Sequence, residues 1–142
     1  MRIIGIIPAR MASTRFPGKP LTKILDVPMV GHVYYRSKMS KLLDEVYIAT
    51  CDDEILHYAE SIGAKAVMTA DIHERASDRT AEAMLKIEKD NSIKIDIVVM
   101  IQGDEPLIYP EMIDEVTRPL IDDSNICVAN LIAPLKTSQE KK

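Results

Sequence analysis

Residues 3–7 read Ile-Ile-Gly-Ile-Ile, an almost unbroken β-branched run that Pro8 closes. A strand with one wet face alternates apolar and polar residues. An unbroken run implies burial on both faces, which a parallel sheet covered by helices provides. Runs of the same kind recur at 46–50, 66–69, 95–101 and 126–131. Between them, apolar residues fall at helical spacing: Met29, Val30, Val33 and Tyr34; Ile55, Leu56, Ala59 and Ile62; Ala81, Met84 and Leu85; Met112, Ile113, Val116 and Leu120. The alternation β-α-β-α-β-α-β-α-β predicts an α/β layered domain with parallel pairing through right-handed crossovers.

Helix ends carry signals of their own. Asp52 or Asp53 is placed to cap the second helix, Ser77 the third, and Pro110 suits a first helical turn. Gly63 fits the end of the second helix, where a left-handed residue is often required. A domain over 1–135 follows, with a polar tail at 136–142 expected to fray. Apolar residues make up 46% of the 142-residue chain and aromatics only 4%, so the core is expected to be aliphatic. Tyr34 and Tyr35 are expected to pack, and Met29, Met39, Met84 and Met112 to fill gaps in or near the core.

Ligands of open parallel sheets sit beyond the carboxyl ends of the strands. That edge receives the loops at 8–20, 50–53, 70–79 and 102–109. The first carries Arg10, Ser13, Thr14, Arg15, Gly18 and Lys19, a dense supply of donors and positive charge. It lacks both GxxxxGK[ST] and GxGxxG, so it is neither of the common phosphate loops. Its chemistry still points to an anion, with Pro17 and Pro20 stiffening the backbone around Lys19. The last loop delivers Gln102, Gly103, Asp104 and Glu105 to the same edge. Carboxylates beside phosphate-binding cations suit Mg²⁺, which takes one or two carboxylates, phosphate oxygens and water. The third loop carries Arg75, Ser77, Asp78 and Arg79, which read equally as a helix cap with surface charge.

A net charge of -4 argues against a general nucleic-acid binder, so the basic loop is a local feature. Cys51 and Cys127 lack metal-ligand spacing and fit reduced structural thiols. No apolar run approaches the roughly 20 residues that span a bilayer, and the first run is too short for a signal peptide. These features together predict a cytoplasmic protein. His32, His57 and His73 share no spacing and have no evident carboxylate partner, so ordinary helix or loop roles are expected.

The stretches IIPARMASTRFPGKPL, PMVGHVYYR, IAT-CDDE, SDRTAEA and IQGDEPLI are together similar to the sugar-acid cytidylyltransferases, above all the 3-deoxy-manno-octulosonate type. The resemblance covers nearly the whole chain, including VANLIAPL as the family's next strand. It implies a Rossmann-like three-layer nucleotide-diphospho-sugar transferase fold with a mostly parallel sheet. The implied reaction transfers CMP from CTP to the sugar acid and releases pyrophosphate, for surface polysaccharide or lipopolysaccharide synthesis.

Carried over by position, the loop from Ala9 to Lys19 wraps the triphosphate. Arg10 and Lys19 neutralise charge there, and Ser13 and Arg15 assist. Ser77, Arg79 and Gln102 lie near the cytosine and ribose, and Asp104 holds catalytic Mg²⁺. Family members run on for roughly another hundred residues, a second half of domain scale. That half carries most sugar-acid contacts and much of a homodimer interface, so the present chain corresponds to a truncated, N-terminal nucleotide-binding part. RASDR stands where the octulosonate enzymes usually show a Ser-Gly-Thr-Glu-Arg-like stretch. Two other readings are a spore-coat-polysaccharide-type nucleotidyltransferase, which shares the first loop, and a non-catalytic CTP-binding module or partner-completed subunit.

Overall fold

The computed structural model describes residues 1–13 and 15–133; Thr14 and the expected polar tail lie outside the described residues. Four strands form one parallel sheet: β1 (Ile3–Pro8), β4 (Glu45–Thr50), β5 (Lys65–Met68) and β6 (Ile97–Met100). A small antiparallel pair, β2 (Lys23–Ile24) and β3 (Val27–Pro28), lies apart from it. The helices are α1 (Met29–Lys38), α2 (Asp53–Ser61), α3 (Ala76–Asn91) and α4 (Pro110–Asp122).

Sheet order is β5-β4-β1-β6, so the chain builds outward from β1 in one direction and then returns to its other side. Crossovers of one hand that reverse direction must use opposite faces of the sheet. Accordingly α1 and α2 pack on one face with Ile7, Val46 and Ile48, whereas Ala83 and Ile87 of α3 pack on the other with Ile4, Ile6 and Tyr47. Ile113 of α4 joins the first face. Every residue of β1 is buried, as its unbroken apolar run requires. Its entry is fixed by carboxylates from the neighbouring strands' approaches: the Ile3 N–H donates to Asp44 Oδ2 at 2.7 Å and the Arg2 N–H to Asp96 Oδ2 at 2.6 Å.

Most sequence expectations hold, and the exceptions have local causes. Pro110 does open α4. Gly63 follows α2 at φ +70, and Ala64 and Gly63 donate to the Ala59 and Glu60 carbonyls, a Schellman ending that a Cβ would strain. Ser77 does not cap α3, because the helix starts two residues earlier than such a cap requires and Arg75 takes the cap position. Asp52 holds the cap position of α2, but its carboxylate makes no cap bond and is used elsewhere. The strand expected at 126–131 does not form; those residues lie without regular structure, and 127–131 face β6 and α4 across an apolar groove. Tyr34 is buried, but Tyr35 is exposed and meets it edge-on at 5.5 Å. Met39 and Met112 are exposed at helix surfaces rather than in the core. The β2–β3 turn had no Gly signal: Leu25 and Asp26 both adopt positive φ there. Among the described residues no helix is long and apolar enough to cross a membrane.

Ile48 is fully buried in β4, whereas Leu25 is 90% exposed at the turn. Ile48→Ala is expected to lower the unfolding free energy by about 2–5 kcal/mol through transfer and cavity terms. Leu25→Ala is expected to stay within about 0.5 kcal/mol of the parent. Urea denaturation of both variants checks this, and a comparable loss in the two would contradict the assigned core.

Candidate functional site

The reversal of strand order falls between β1 and β6, and the loops leaving their carboxyl ends open a crevice there. A cavity of about 320 Å³ occupies that crevice, within the size range of small-ligand sites. Three loops wall it: Ala9, Arg10, Ser13 and Lys19 after β1; His73, Arg75 and Arg79 after β5; Gln102, Gly103 and Asp104 after β6. The four basic side chains Arg10, Lys19, Arg75 and Arg79 outnumber the carboxylates Glu74 and Asp104 around it. A chain of net charge -4 therefore presents one basic cavity, a focused site for an anion.

The first loop is shaped by backbone bonds. Gly18 lies at φ +74, which an L side chain tolerates poorly, and its N–H closes the loop by donating to the Met11 carbonyl at 2.8 Å. Pro20 then sits in a short 3-10 turn, Lys19–Leu21, that carries Lys19 toward the cavity. The Ser13 hydroxyl oxygen accepts the N–H groups of Arg15 and Phe16 at 3.3 and 3.2 Å, so it also shapes the bend. Asp52 supplies the anchor that the sequence left hidden behind a capping role: its Oδ2 accepts the Met11 N–H at 2.8 Å. The end of β4 thereby pins the loop that follows β1.

Across the cavity, Gly103 passes so close to β1 that a Cβ would lie 2.8 Å from the Pro8 carbonyl oxygen. Only glycine lets the acidic loop approach that closely. Lys19 Nζ stands 3.6 Å from Asp104 Oδ2, and both side chains are partly open to solvent. An ion pair of that exposure contributes about 0–1 kcal/mol, so either group is readily surrendered to a ligand.

Arg79 differs, being only 2% exposed. Its Nη1 donates to Thr69 Oγ1 at 2.8 Å and to the Ala70 carbonyl at 3.5 Å, and its Nη2 to the His73 carbonyl at 3.4 Å. Among the described residues no carboxylate lies within ion-pair range of it. A buried guanidinium held by neutral acceptors keeps its charge available to whatever enters the cavity. Arg10 is exposed and donates through Nη1 to the same His73 carbonyl at 3.4 Å.

Of the residues singled out from sequence, the cavity thus gathers Ala9, Arg10, Ser13, Lys19, Arg79, Gln102 and Asp104. Arg15 faces an adjoining open concavity with Arg10 and Ser13, and Ser77 lies in the first turn of α3 without lining either. Residues missed by sequence reasoning are Asp52, whose role is read only from the fold, and His73. Contrary to expectation, the His73 ring has a carboxylate partner, Glu82. Among the described residues no cluster of three or more His, Cys, Asp or Glu is arranged to hold a metal ion, so any cation at Asp104 needs further oxygen ligands from the substrate and water.

Comparison with known proteins shows the family and the fold. The profile of a family described as Cytidylyltransferase matches residues 4–142. The 3-deoxy-manno-octulosonate cytidylyltransferase of Geotalea uraniireducens is 45% identical over 137 residues, 96% of this chain and 52% of the relative. That of Thermodesulfovibrio yellowstonii is 51% identical over 117 residues, 81% of this chain and 46% of its own length. The chain spans about half the length of the curated relatives it matches. Among solved structures, a CMP:2-keto-3-deoxy-manno-octonic acid synthetase complexed with CTP is 37% identical, with TM-score 0.81 over 87% of this chain and 49% of that one. The Rossmann-like nucleotidyltransferase fold is shared throughout that overlap.

The pinning role of Asp52 is open to test. Asp52→Ala leaves the partly buried Met11 N–H unpaired and is expected to cost about 1–3 kcal/mol in urea unfolding. Asp52→Asn keeps an acceptor oxygen and is expected to lose less. An alanine variant as stable as the parent would contradict the anchor.

Proposed function

The chain belongs to the cytidylyltransferase family, and on that premise we propose that it is the nucleotide-binding half of a CTP:3-deoxy-manno-octulosonate cytidylyltransferase. The observation that carries this reading is the meeting of a basic loop and an acidic loop across one cavity, with Lys19 3.6 Å from Asp104. A triphosphate needs the first loop, and the cation that accompanies it needs the second.

In this reading Arg10 and Lys19 bind the triphosphate, with Ser13 and Arg15 supporting the loop around it. Arg79 and Gln102 face the nucleoside, Ser77 helps place the start of α3 beside it, and Ala9 opens the loop around the triphosphate. Asp104 holds Mg²⁺, which when bound supplies charge neutralisation and alignment of the phosphoryl oxygens. The oxygen of the sugar acid's anomeric hydroxyl forms a bond to the α-phosphorus and its proton passes to solvent, while the bond from that phosphorus to the bridging oxygen breaks and pyrophosphate leaves. Arg10 and Lys19 offset the negative charge that grows on the leaving oxygens, so the protein's contribution is positional and electrostatic. No covalent nucleophile is required. A cytoplasmic location, a homodimeric full-length form and a place in lipopolysaccharide synthesis belong to the same proposal.

Because the chain matches about half of its relatives, binding and turnover are tested separately. Calorimetric titration with CTP and Mg²⁺ is expected to show one site, and Lys19→Ala to weaken it by about tenfold or more, the loss of a charged contact. Absence of CTP binding would defeat the reading. Pyrophosphate release with 3-deoxy-manno-octulosonate then distinguishes an active chain from a CTP-binding module. In a full-length relative, Asp104→Asn at the matching position is expected to abolish metal-dependent turnover; unchanged metal dependence would refute its role.

A further inference from the structure

Glu82 has no place in the nucleotide reading, yet the wall of the cavity is folded around it. It lies in the second turn of α3 and does not line the cavity. Both of its carboxylate oxygens accept the Ala70 N–H, at 3.2 Å each. Its Oε2 also contacts His73 Nε2, and its Oε1 pairs with Lys86 Nζ at 2.9 Å. One side chain therefore grips both ends of a four-residue loop. The His73 contact first, and Lys86 second, hold its carboxyl well below the usual range, at about 2, so it is ionised near neutral pH.

The inner side of the same loop faces the ligand cavity. The His73 carbonyl accepts from Arg79 Nη2 and from Arg10 Nη1, and the Ala70 carbonyl accepts from Arg79 Nη1. These bonds are long, 3.4–3.5 Å, so they guide the guanidiniums weakly, and the short bond of Arg79 Nη1 to Thr69 Oγ1 at 2.8 Å is a separate hold on Arg79. What fixes the two carbonyls in space is the grip of Glu82 on the Ala70 N–H and the His73 ring.

We propose that Glu82 is a positioning residue for nucleotide binding: by clamping Ala70 and His73 it aims Arg10 and Arg79 into the cavity. Glu82 touches no ligand and acts only through the carbonyls that it places. The proposal rests on the reading of the cavity as a CTP site.

Glu82→Gln preserves size and one acceptor oxygen while removing the charge that holds His73. It is expected to weaken CTP binding about three- to tenfold in titration calorimetry of the full chain. Arg10 is exposed, so Arg10→Ala is compatible with folding and serves as the second arm of a double-mutant cycle. If Glu82 acts by aiming Arg10 and Arg79, the loss from Glu82→Gln shrinks in the Arg10→Ala background, and the two losses fail to multiply. A general structural role predicts that they multiply. Should Glu82→Gln not fold, His73→Ala removes the ring contact and leaves the carbonyl, with an expected loss of about two- to fivefold. CTP binding by the parent, with these variants within twofold of it or with losses that multiply, would overturn this proposal alone. No CTP binding by the parent would overturn the cavity reading and this proposal together.

Discussion

The burial of β1 on both faces is the constraint from which the rest of the structure follows. Its six residues are buried because β4 and β6 flank it and helices cover both sides. Such a strand must be central, and a central first strand forces the chain to build to one side and then return to the other. The return creates the crevice between the loops after β1 and β6. The site is thus a topological consequence of five residues at the start of the chain, and the loops only furnish it.

The furnishing is electrostatic. An acidic protein collects four basic side chains around one cavity, and among the described residues none is committed to a strong internal ion pair. Lys19 is held by an exposed contact to Asp104, and Arg79 by a hydroxyl and two carbonyls. Neutral acceptors orient a guanidinium without cancelling its field, so its attraction for phosphate survives burial. The carboxylates that order this region stand behind it: Asp52 pins the first loop through a backbone N–H, and Glu82 grips the third from outside the cavity. Apart from Glu74 and Asp104 in the lining, negative charge near the cavity serves as scaffolding for its loops.

The layered fold was legible in sequence because its signal is periodic: the apolar runs named four of the strands, and the helical spacing named all four helices. The fifth strand expected at 126–131 does not form, since an apolar run states only that a segment seeks cover, and here 127–131 find it against α4 and the sheet edge without pairing. The two short strands around Leu25 and Asp26 left no signal, as both residues adopt positive φ without being glycine or asparagine. In the site, charged loop residues such as Arg10, Lys19 and Asp104 were visible by their type and position. Asp52 looked like a helix cap and His73 like a bystander, because what they contact comes from distant segments or depends on the loop's path. Local pattern names the residues that face a ligand better than those that hold them in place.

The central claim is that the crevice between β1 and β6 is a CTP site. Amide chemical-shift mapping of the ¹⁵N-labelled 15.9 kDa chain during titration with CTP and Mg²⁺ tests it most directly. The account predicts saturable shifts confined to residues 9–20, 69–79 and 102–105. Shifts centred instead on the apolar groove between β6 and α4, or none at saturating nucleotide, would contradict it.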